Sequence, residues 1–426
     1  MTKKTKMICS IIALAVITGI FLFVDQTTSP SSMLRSVLQL SLIYSLVAVS
    51  MNLLNGITGM FSLGQAGFMA IGAYAYAVFT IPVEKKPIVY YLYGVADGLS
   101  NVAVPLIVGL FIAGLVAAGF AALIGAPVLR LKSDYFAIAT LGFAEIVRIV
   151  VASSPLNKIT NGSLGLNNIP GYKSLFVTFI IVAICIAIMV LLVKSSYGRA
   201  FKAIREDEIA AETMGIGLAK HKQMSFIISS FFAGIGGALL AMFLGAVSST
   251  TFNIMMTYNI LLIVVIGGMG SITGSVIAAF LVTFAKEWWL RFLDSTMYIG
   301  DFQVPLLRTG FRMVVFSVIL MCVVLFWRKG MMGQNEFSWD AIYRWGGNIK
   351  AFFKGEKKII TKKDTTRAAK ASEVGADGKT TQDRVDGKAT AADSVLVGGE
   401  AAAAADGVAG EPYGDAKDGK EVGTNE

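Results

Sequence analysis

Long apolar stretches alternate with short polar ones along most of this chain. A helix needs about 20 apolar residues to cross the hydrocarbon core of a bilayer, and ten stretches approach or exceed that length. The pattern therefore predicts an all-α polytopic membrane protein with about ten transmembrane helices. The predicted helices cover roughly 7–24, 33–54, 57–81, 102–129, 134–152, 174–193, 223–247, 254–269, 271–289 and 310–327.

The count of nine or ten helices depends on one apolar run, Ile254 to Trp289. An unbroken helix over this run would be about 54 Å long, too long for one crossing. Glycines within Gly267–Ser271 offer a natural break. The same glycines do not form a phosphate-binding Walker A loop, because that motif requires a lysine and Gly267–Ser275 contains none.

Charge indicates how the chain is oriented. The first apolar run follows Lys3, Lys4 and Lys6 and lacks a convincing small-x-small cleavage site, so a retained signal-anchor helix in 1–32 is favoured over a cleaved signal peptide. With the N-terminus inside, thirteen Lys and Arg residues fall on cytoplasmic segments and seven on the opposite side. The positive-inside rule then predicts a multi-pass membrane protein with both termini in the cytoplasm.

Composition narrows the class of function. The chain is 55% hydrophobic and 15% charged, against about 25% charged residues in an ordinary globular domain. Its net charge of +9 is explained by basic loops at the membrane surface, so we expect no nucleic-acid binding. One histidine and three dispersed cysteines provide neither a nucleophile–base pair nor a metal cluster. We therefore expect no catalytic, cofactor-binding or metal site, and no enzyme activity in this chain.

One loop, 194–222, is charged and prone to form a helix, and we call it the charged segment. Its Ala, Glu, Lys and Arg residues favour a helix that ends at a glycine. Phe201, Ile204, Glu208 and Ala211 fall near one stripe of that helix. Two interpretations remain: a helix that docks in a groove of another protein, or a plain helix on the membrane surface. The candidate docking residues are Arg199, Arg205, Glu208, Ala210, Ala211 and Gly215.

A second set of residues has both a packing and a transport interpretation. The glycine-rich run 56–74 permits close helix packing, and broken helices there would also border a translocation path. Glu145 and Arg148 lie three residues apart, as either a structural ion pair or part of a polar pathway. The candidates for translocation path or helix packing are Asn55, Gly59, Gly64, Gln65, Gly67, Glu145, Arg148, Gly267, Gly268 and Gly270.

The C-terminal part differs from the membrane domain, 33–330. The segment 331–356 contains several aromatic residues, and we expect an amphipathic helix lying on the membrane surface. The tail 357–426 is rich in Ala, Gly, Asp and Lys. It has too few large apolar residues to offset chain entropy, so we expect a disordered cytoplasmic tail.

Five motifs in order resemble the permease subunits of branched-chain amino-acid ABC importers, the Liv-type family, and within it the larger of the two paired permeases. The resemblance covers about 30–330 and fails in the tail. Its motifs are Leu53–Tyr74, Lys132–Arg148, Thr160–Leu166, Gly198–Gly237 and Val265–Gly274.

The resemblance implies that different subunits carry out transport and ATP hydrolysis. The spacing Glu208-x-Ala210-Ala211-x-x-x-Gly215 is similar to the family's coupling loop, which docks on an ATPase subunit. It implies two ABC ATPase subunits that hold ATP and Mg, a second and paralogous permease, an extracytoplasmic amino-acid binding protein, and membrane lipid around the complex. The implied cargo is a branched-chain or other apolar amino acid, which the complex would move across a bacterial inner membrane.

Three alternative functions remain open. Close relatives import urea or short amides, and no residue here excludes those cargoes. An ion-coupled secondary transporter would use intramembrane carboxylates, but Glu145 and Glu287 each have a basic neighbour, Arg148 and Lys286. A non-transport scaffold protein would explain the hydrophobicity but not the charged segment.

Overall fold

Helices form nearly all the regular structure in the computed structural model. The structure describes residues 3–29, 32–131, 133–172 and 174–290, followed by short pieces at 298–299, 302–303, 314–318, 321, 330–333 and 336. All of these residues belong to one unit, Met1–Tyr343. The predicted tail 357–426 lies outside the described residues, and the predicted surface helix 331–356 is described only at 331–333 and 336.

Among the described residues are thirteen α-helices with the bounds given below, the short helical piece 314–318, and one pair of two-residue strands. The helices are α1 (Lys3–Thr27), α2 (Met33–Asn52), α3 (Gln65–Thr80), α4 (Lys86–Val89), α5 (Leu106–Val128), α6 (Ser133–Val151), α7 (Asn157–Thr160), α8 (Leu175–Lys194), α9 (Ser196–Glu206), α10 (Glu208–Thr213), α11 (Leu218–Leu244), α12 (Ile254–Gly267) and α13 (Ile272–Glu287). Helix α2 continues into a π-helical turn, Leu53–Thr58, and β1 (Tyr298–Ile299) pairs antiparallel with β2 (Phe302–Gln303).

Length and apolar composition qualify four helical segments of the described chain to cross a bilayer. They are Met33–Thr58, Leu106–Val128, Leu175–Lys194 and Leu218–Leu244, and the count rises to six if each of two bent helix pairs is one crossing. The all-helical architecture is thus confirmed, while the count of about ten stays a prediction. The last predicted helix, 310–327, is described only at 314–318, which are helical, and at 321.

The predicted helix boundaries are correct at Gly267–Ser271 and wrong at the glycine-rich run 56–74. Helix α12 ends at Gly267 and α13 begins at Ile272, as the break over Gly267–Ser271 predicts. The helix expected from residue 57, however, begins only at Gln65. The π-helical turn ends at Gly59 in the left-handed conformation, and the chain then runs without regular structure to Gly64.

Helices α2, α3 and α11 form the buried centre of the fold, and glycines allow α3 and α11 to approach closely. A Cβ atom on Gly72 would lie 2.2 Å from the carbonyl oxygen of Gly234, and one on Gly237 would lie 2.0 Å from that of Met69. Side chains at these positions would force the helices apart. Small residues at a helix crossing are the usual device for close packing in membranes, where dispersion contacts replace the hydrophobic effect.

One carboxylate joins three helix ends on the side of the fold opposite the charged segment. Asp25, near the end of α1, pairs with Arg35 of α2 at 2.5 Å. It also accepts hydrogen bonds from the Ser174 hydroxyl at 2.7 Å and from the Leu175 backbone N–H at 2.9 Å. Because a carboxylate stabilises a helix N-terminus, Asp25 fixes α1 to the starts of α2 and α8.

Candidate functional site

The charged segment contains two short helices, α9 and α10, rather than the single helix expected to end at a glycine. The chain is extended at Asp207, and the Asp207 carboxylate accepts the N–H groups of Ile209 at 2.9 Å and Ala210 at 3.1 Å. This N-cap competes with continuation of α9 and starts α10 in a new direction. The predicted glycine stop is present, since Gly215 has φ +83° and follows the end of α10.

The break between α9 and α10 at Asp207 separates the residues that were predicted to share one helix stripe. Phe201, Ile204 and Ala211 are buried, whereas Glu208 is exposed and pairs with Lys222 at 2.6 Å. Of the candidate docking residues, Arg205 is half-buried and Ala211 faces the interior of the fold, so Ala211 does not belong to an outer docking surface. The exposed candidates are Arg199, Glu208, Ala210 and Gly215.

Two exposed apolar residues on the charged segment were missed by the sequence analysis. Ile209 is 77% exposed and Met214 is 82% exposed. Exposed apolar side chains on a polar loop mark surfaces that contact other molecules. The sequence did contain a signal for them, because these two large apolar residues do not fall on the helix stripe of Phe201 and Ile204.

Arg205 connects the charged segment to the π-helical turn. Its guanidinium donates a hydrogen bond to the Gly56 carbonyl at 2.9 Å and pairs with the adjacent Glu206. Its side-chain stem covers Gly59, where an added Cβ would lie 2.8 Å from Arg205 Cγ. The end of α9 and the end of α2 are therefore in direct contact. π-Helical turns inside helices frequently occur at functional sites.

Asn52 ties the same turn to the break between α12 and α13, and sequence reasoning also missed this residue. Its side-chain oxygen accepts the Gly270 N–H at 2.8 Å. Its amide donates to the Ser271 carbonyl at 2.8 Å and to the Ser275 hydroxyl at 2.9 Å. Asn52 is fully buried, so these bonds satisfy an otherwise expensive polar group. A polar residue within an apolar run was the only sequence signal.

The glycines at this break sit at close backbone contacts. A Cβ on Gly267 would lie 2.6 Å from backbone atoms of Gly274, and one on Gly268 would lie 2.6 Å from the Gly333 carbonyl oxygen. Gly268 and Gly270 have φ values of +105° and +99°, a region that favours glycine. The candidates Gly267, Gly268 and Gly270 thus form a tight turn whose neighbour is the π-helical turn.

A returning segment of chain closes the turn between α12 and α13. The backbone N–H of Met331 donates to the Ile266 carbonyl at 2.7 Å. The Glu336 carboxylate accepts the Ile272 N–H at 2.8 Å and the Thr273 hydroxyl at 2.8 Å, which caps the start of α13. The turn is therefore held from two sides.

The remaining glycine-run candidates hold the irregular segment between α2 and α3. The Asn55 side chain bonds both the N–H and the carbonyl of Ser62, at 3.0 and 3.2 Å, and the Gln65 amide donates to the Ser50 hydroxyl at 2.6 Å. A Cβ on Gly64 would lie 3.0 Å from the Thr140 carbonyl oxygen, and one on Gly67 would lie 2.7 Å from Ala144 Cα. Gly64 and Gly67 thus allow close packing against α6. A role of these four residues in the translocation path stays a prediction.

The last two candidates lie elsewhere, on α6. Arg148 Nε donates to Glu145 Oε1 at 2.8 Å, and both side chains are partly exposed. The structure thus brings Arg205 and Gly59 together with Gly270, while Glu145 and Arg148 form a separate site.

Comparison with known proteins shows the family. The family model described as branched-chain amino acid transport system / permease component matches residues 33–325. The high-affinity branched-chain amino acid transport system permease proteins LivM of Escherichia coli K12 and Salmonella typhimurium LT2 are 33% and 32% identical over 292 residues. These alignments cover 61% of this chain and 64% of each relative, so the chain spans less than two thirds of their length.

A more distant relative is LivH of Escherichia coli K12, also named as a high-affinity branched-chain amino acid transport system permease protein. It is 22% identical over 305 residues, covering 69% of this chain and 92% of LivH. No solved structure matches the chain. With a family match that extends from the start of α2 to residue 325 and helices that qualify as membrane spans, this multi-pass membrane protein belongs to the permease components of branched-chain amino acid transport systems.

Proposed function

We propose that the chain is a transmembrane permease subunit of an ATP-driven ABC importer that moves branched-chain or other apolar amino acids inward. Its relatives are named for branched-chain amino acid transport, which supports this cargo over urea or short amides. ATP hydrolysis takes place on two separate ATPase subunits. A paralogous permease lies beside the chain, and an extracytoplasmic binding protein delivers the cargo.

The observation that carries the proposal is the contact between Arg205 and Gly56. The charged segment lies in the cytoplasm with both chain termini, where its exposed surface docks on an ATPase. Closure of the ATPases displaces α9 and α10. Because Arg205 holds the end of α2, and Asn52 holds the break between α12 and α13, the displacement reaches three membrane helices. ATP binding thereby favours one of two permease conformations.

Reconstitution of the complete importer in proteoliposomes tests the function. We expect uptake of leucine that requires ATP, the two ATPases and the binding protein, and that disappears with a hydrolysis-deficient ATPase. The variants Gly215→Pro and Glu208→Lys test docking, since both alter the exposed part of the charged segment. Uptake without any ATPase, or unchanged uptake and ATPase association in both variants, would contradict the proposal.

A further inference from the structure

The outward face of α6 carries the ion pair between Glu145 and Arg148. The two side chains are 31% and 32% exposed, respectively. Among the residues that the structure describes, their side-chain hydrogen bonds are to each other. The same face includes Ile138, which is 67% exposed, and Gly142, where an added Cβ would meet no atom within 4 Å. Next to the charged pair, this face of α6 is therefore not covered by other described parts of the chain.

Helix α6 belongs to one of the two bent helix pairs that qualify as a single crossing, so the position of the pair along α6 places it within the membrane. Helix α6 begins at Ser133 and ends at Val151. At 1.5 Å per residue, Glu145 lies about 9 Å and Arg148 about 4–5 Å from its end. Ionised groups at such a depth avoid lipid, and they face protein or a water-filled cavity.

Other outward-facing helices lack such a pair. Helix α5 exposes Ile107, Phe111 and Leu123 and contains no charged residue. Helix α8 exposes Ile184 and Leu191, and its one charged residue is the terminal Lys194. Those faces are apolar throughout, whereas the face of α6 exposes Ile146 and Ile149 and also carries a charged pair.

We propose that this face of α6 borders a water-filled passage, closed on its other side by the second permease, in which Glu145 and Arg148 bind the zwitterionic end of a passing amino acid. The inference rests on the proposed function and adds a location and a pair of binding residues. The Arg148 guanidinium receives the cargo carboxylate, and the Glu145 carboxylate receives its ammonium group.

A paired site suits a permease that must also release its cargo. The empty site has no net charge, because the two residues neutralise each other. Binding a zwitterion exchanges one ion pair for two and returns the first pair on release. The gain from new contacts is offset by the lost Glu145–Arg148 contact, so binding stays weak enough for cargo to leave.

Cysteine accessibility tests the passage. In a complete importer whose Cys9, Cys185 and Cys322 are replaced, Ile138→Cys is compared with Ile188→Cys on α8. Ile188 is a matched control: it is the same residue type, is 50% exposed, and lies about 9 Å from the end of α8 that adjoins the charged segment. We expect a membrane-impermeant thiol reagent to label Ile138→Cys at least about tenfold faster. Equal and slow labelling of the two cysteine variants would overturn the proposal of a water-filled passage.

Charge-neutralising variants test the binding role. In Glu145→Gln and in Arg148→Gln, we expect normal assembly and normal ATP hydrolysis stimulated by the loaded binding protein. Uptake per ATP should fall about tenfold, the equivalent of one lost hydrogen bond to a charged group. Unchanged uptake would overturn the binding role, and so would loss of the assembled complex, since it would show that the pair is structural. Failure of the proposed function itself would appear differently, as absence of ATP-dependent uptake in the unaltered importer.

Discussion

The guanidinium of Arg205 lies 2.9 Å from the carbonyl oxygen of Gly56 and donates a hydrogen bond to it. These residues are 149 positions apart in sequence, one at the end of α9 and the other in the π-helical turn after α2. A hydrogen bond from a charged donor is stronger than a neutral one. The contact therefore joins a polar loop to the end of a buried membrane helix.

Loss of this contact should uncouple the loop from the membrane helices. We expect Arg205→Ala to lower ATP-dependent uptake about tenfold, which corresponds to the loss of a hydrogen bond from a charged group. The measurement is leucine uptake by proteoliposomes, together with co-purification of the ATPases. Lys202→Ala is the control, because Lys202 lies on the same helix and is exposed.

Two further results define the outcome. Arg205→Lys keeps the charge without the planar guanidinium, so its uptake should fall between those of the other two variants. If Arg205→Ala transports as well as Lys202→Ala, the contact has no part in coupling.

The crossing of α3 and α11 should tolerate no added side chain. We expect Gly72→Ala to destabilise the fold by about 1–3 kcal/mol, the usual range for overpacking, because its Cβ would lie 2.2 Å from the Gly234 carbonyl oxygen. Gly119→Ala is the control, since Gly119 lies on the exposed side of α5 with no atom within 4 Å of an added Cβ. Thermal unfolding in detergent measures both, and equal midpoints would contradict the packing.

Apolar run length is a strong signal in membranes, and it located most helices of this fold. The break after Gly267 was also predictable, because a long apolar run needs a turn and glycines permit one. These features depend only on neighbouring residues. The resemblance to the family then identified the charged segment as the candidate site.

Contacts between distant parts of the chain were not predictable in this way. Asn52 bonds Gly270, 218 positions away, and a polar residue in an apolar run does not reveal its partner. The break at Asp207 was missed because helix propensity favoured a continuous helix, whereas the aspartate cap favoured a new start. Glu208 was thereby assigned to the wrong stripe.

The exposed Ile209 of α10 should anchor the ATPase. We expect Ile209→Asp to reduce co-purification of the ATPases about tenfold, because it removes an apolar contact worth about 1.5–3 kcal/mol when fully buried. Ile209→Leu keeps the apolar surface and should bind normally. The fold should be unaffected in both, since Ile209 is 77% exposed. Equal ATPase recovery from the two variants would exclude Ile209 as an anchor.

The carboxylate of Asp25 should decide whether α1 stays attached to the rest of the fold. Helix α1 precedes the region that the family model matches, 33–325, and Asp25 holds it through Arg35 and the start of α8. Breaking a fully buried ion pair costs about 3–5 kcal/mol, and Asp25 is 17% exposed, so we expect Asp25→Asn to destabilise the protein by about 2–3 kcal/mol. Asp97→Asn, at an exposed position, should have no effect on the unfolding midpoint in detergent. Arg35 also donates to the Thr28 carbonyl at 3.3 Å, so loss of the pair should loosen the end of α1, and limited proteolysis should release α1 from the Asp25→Asn protein first. Equal protease resistance in the two variants would show that other contacts hold α1 in place.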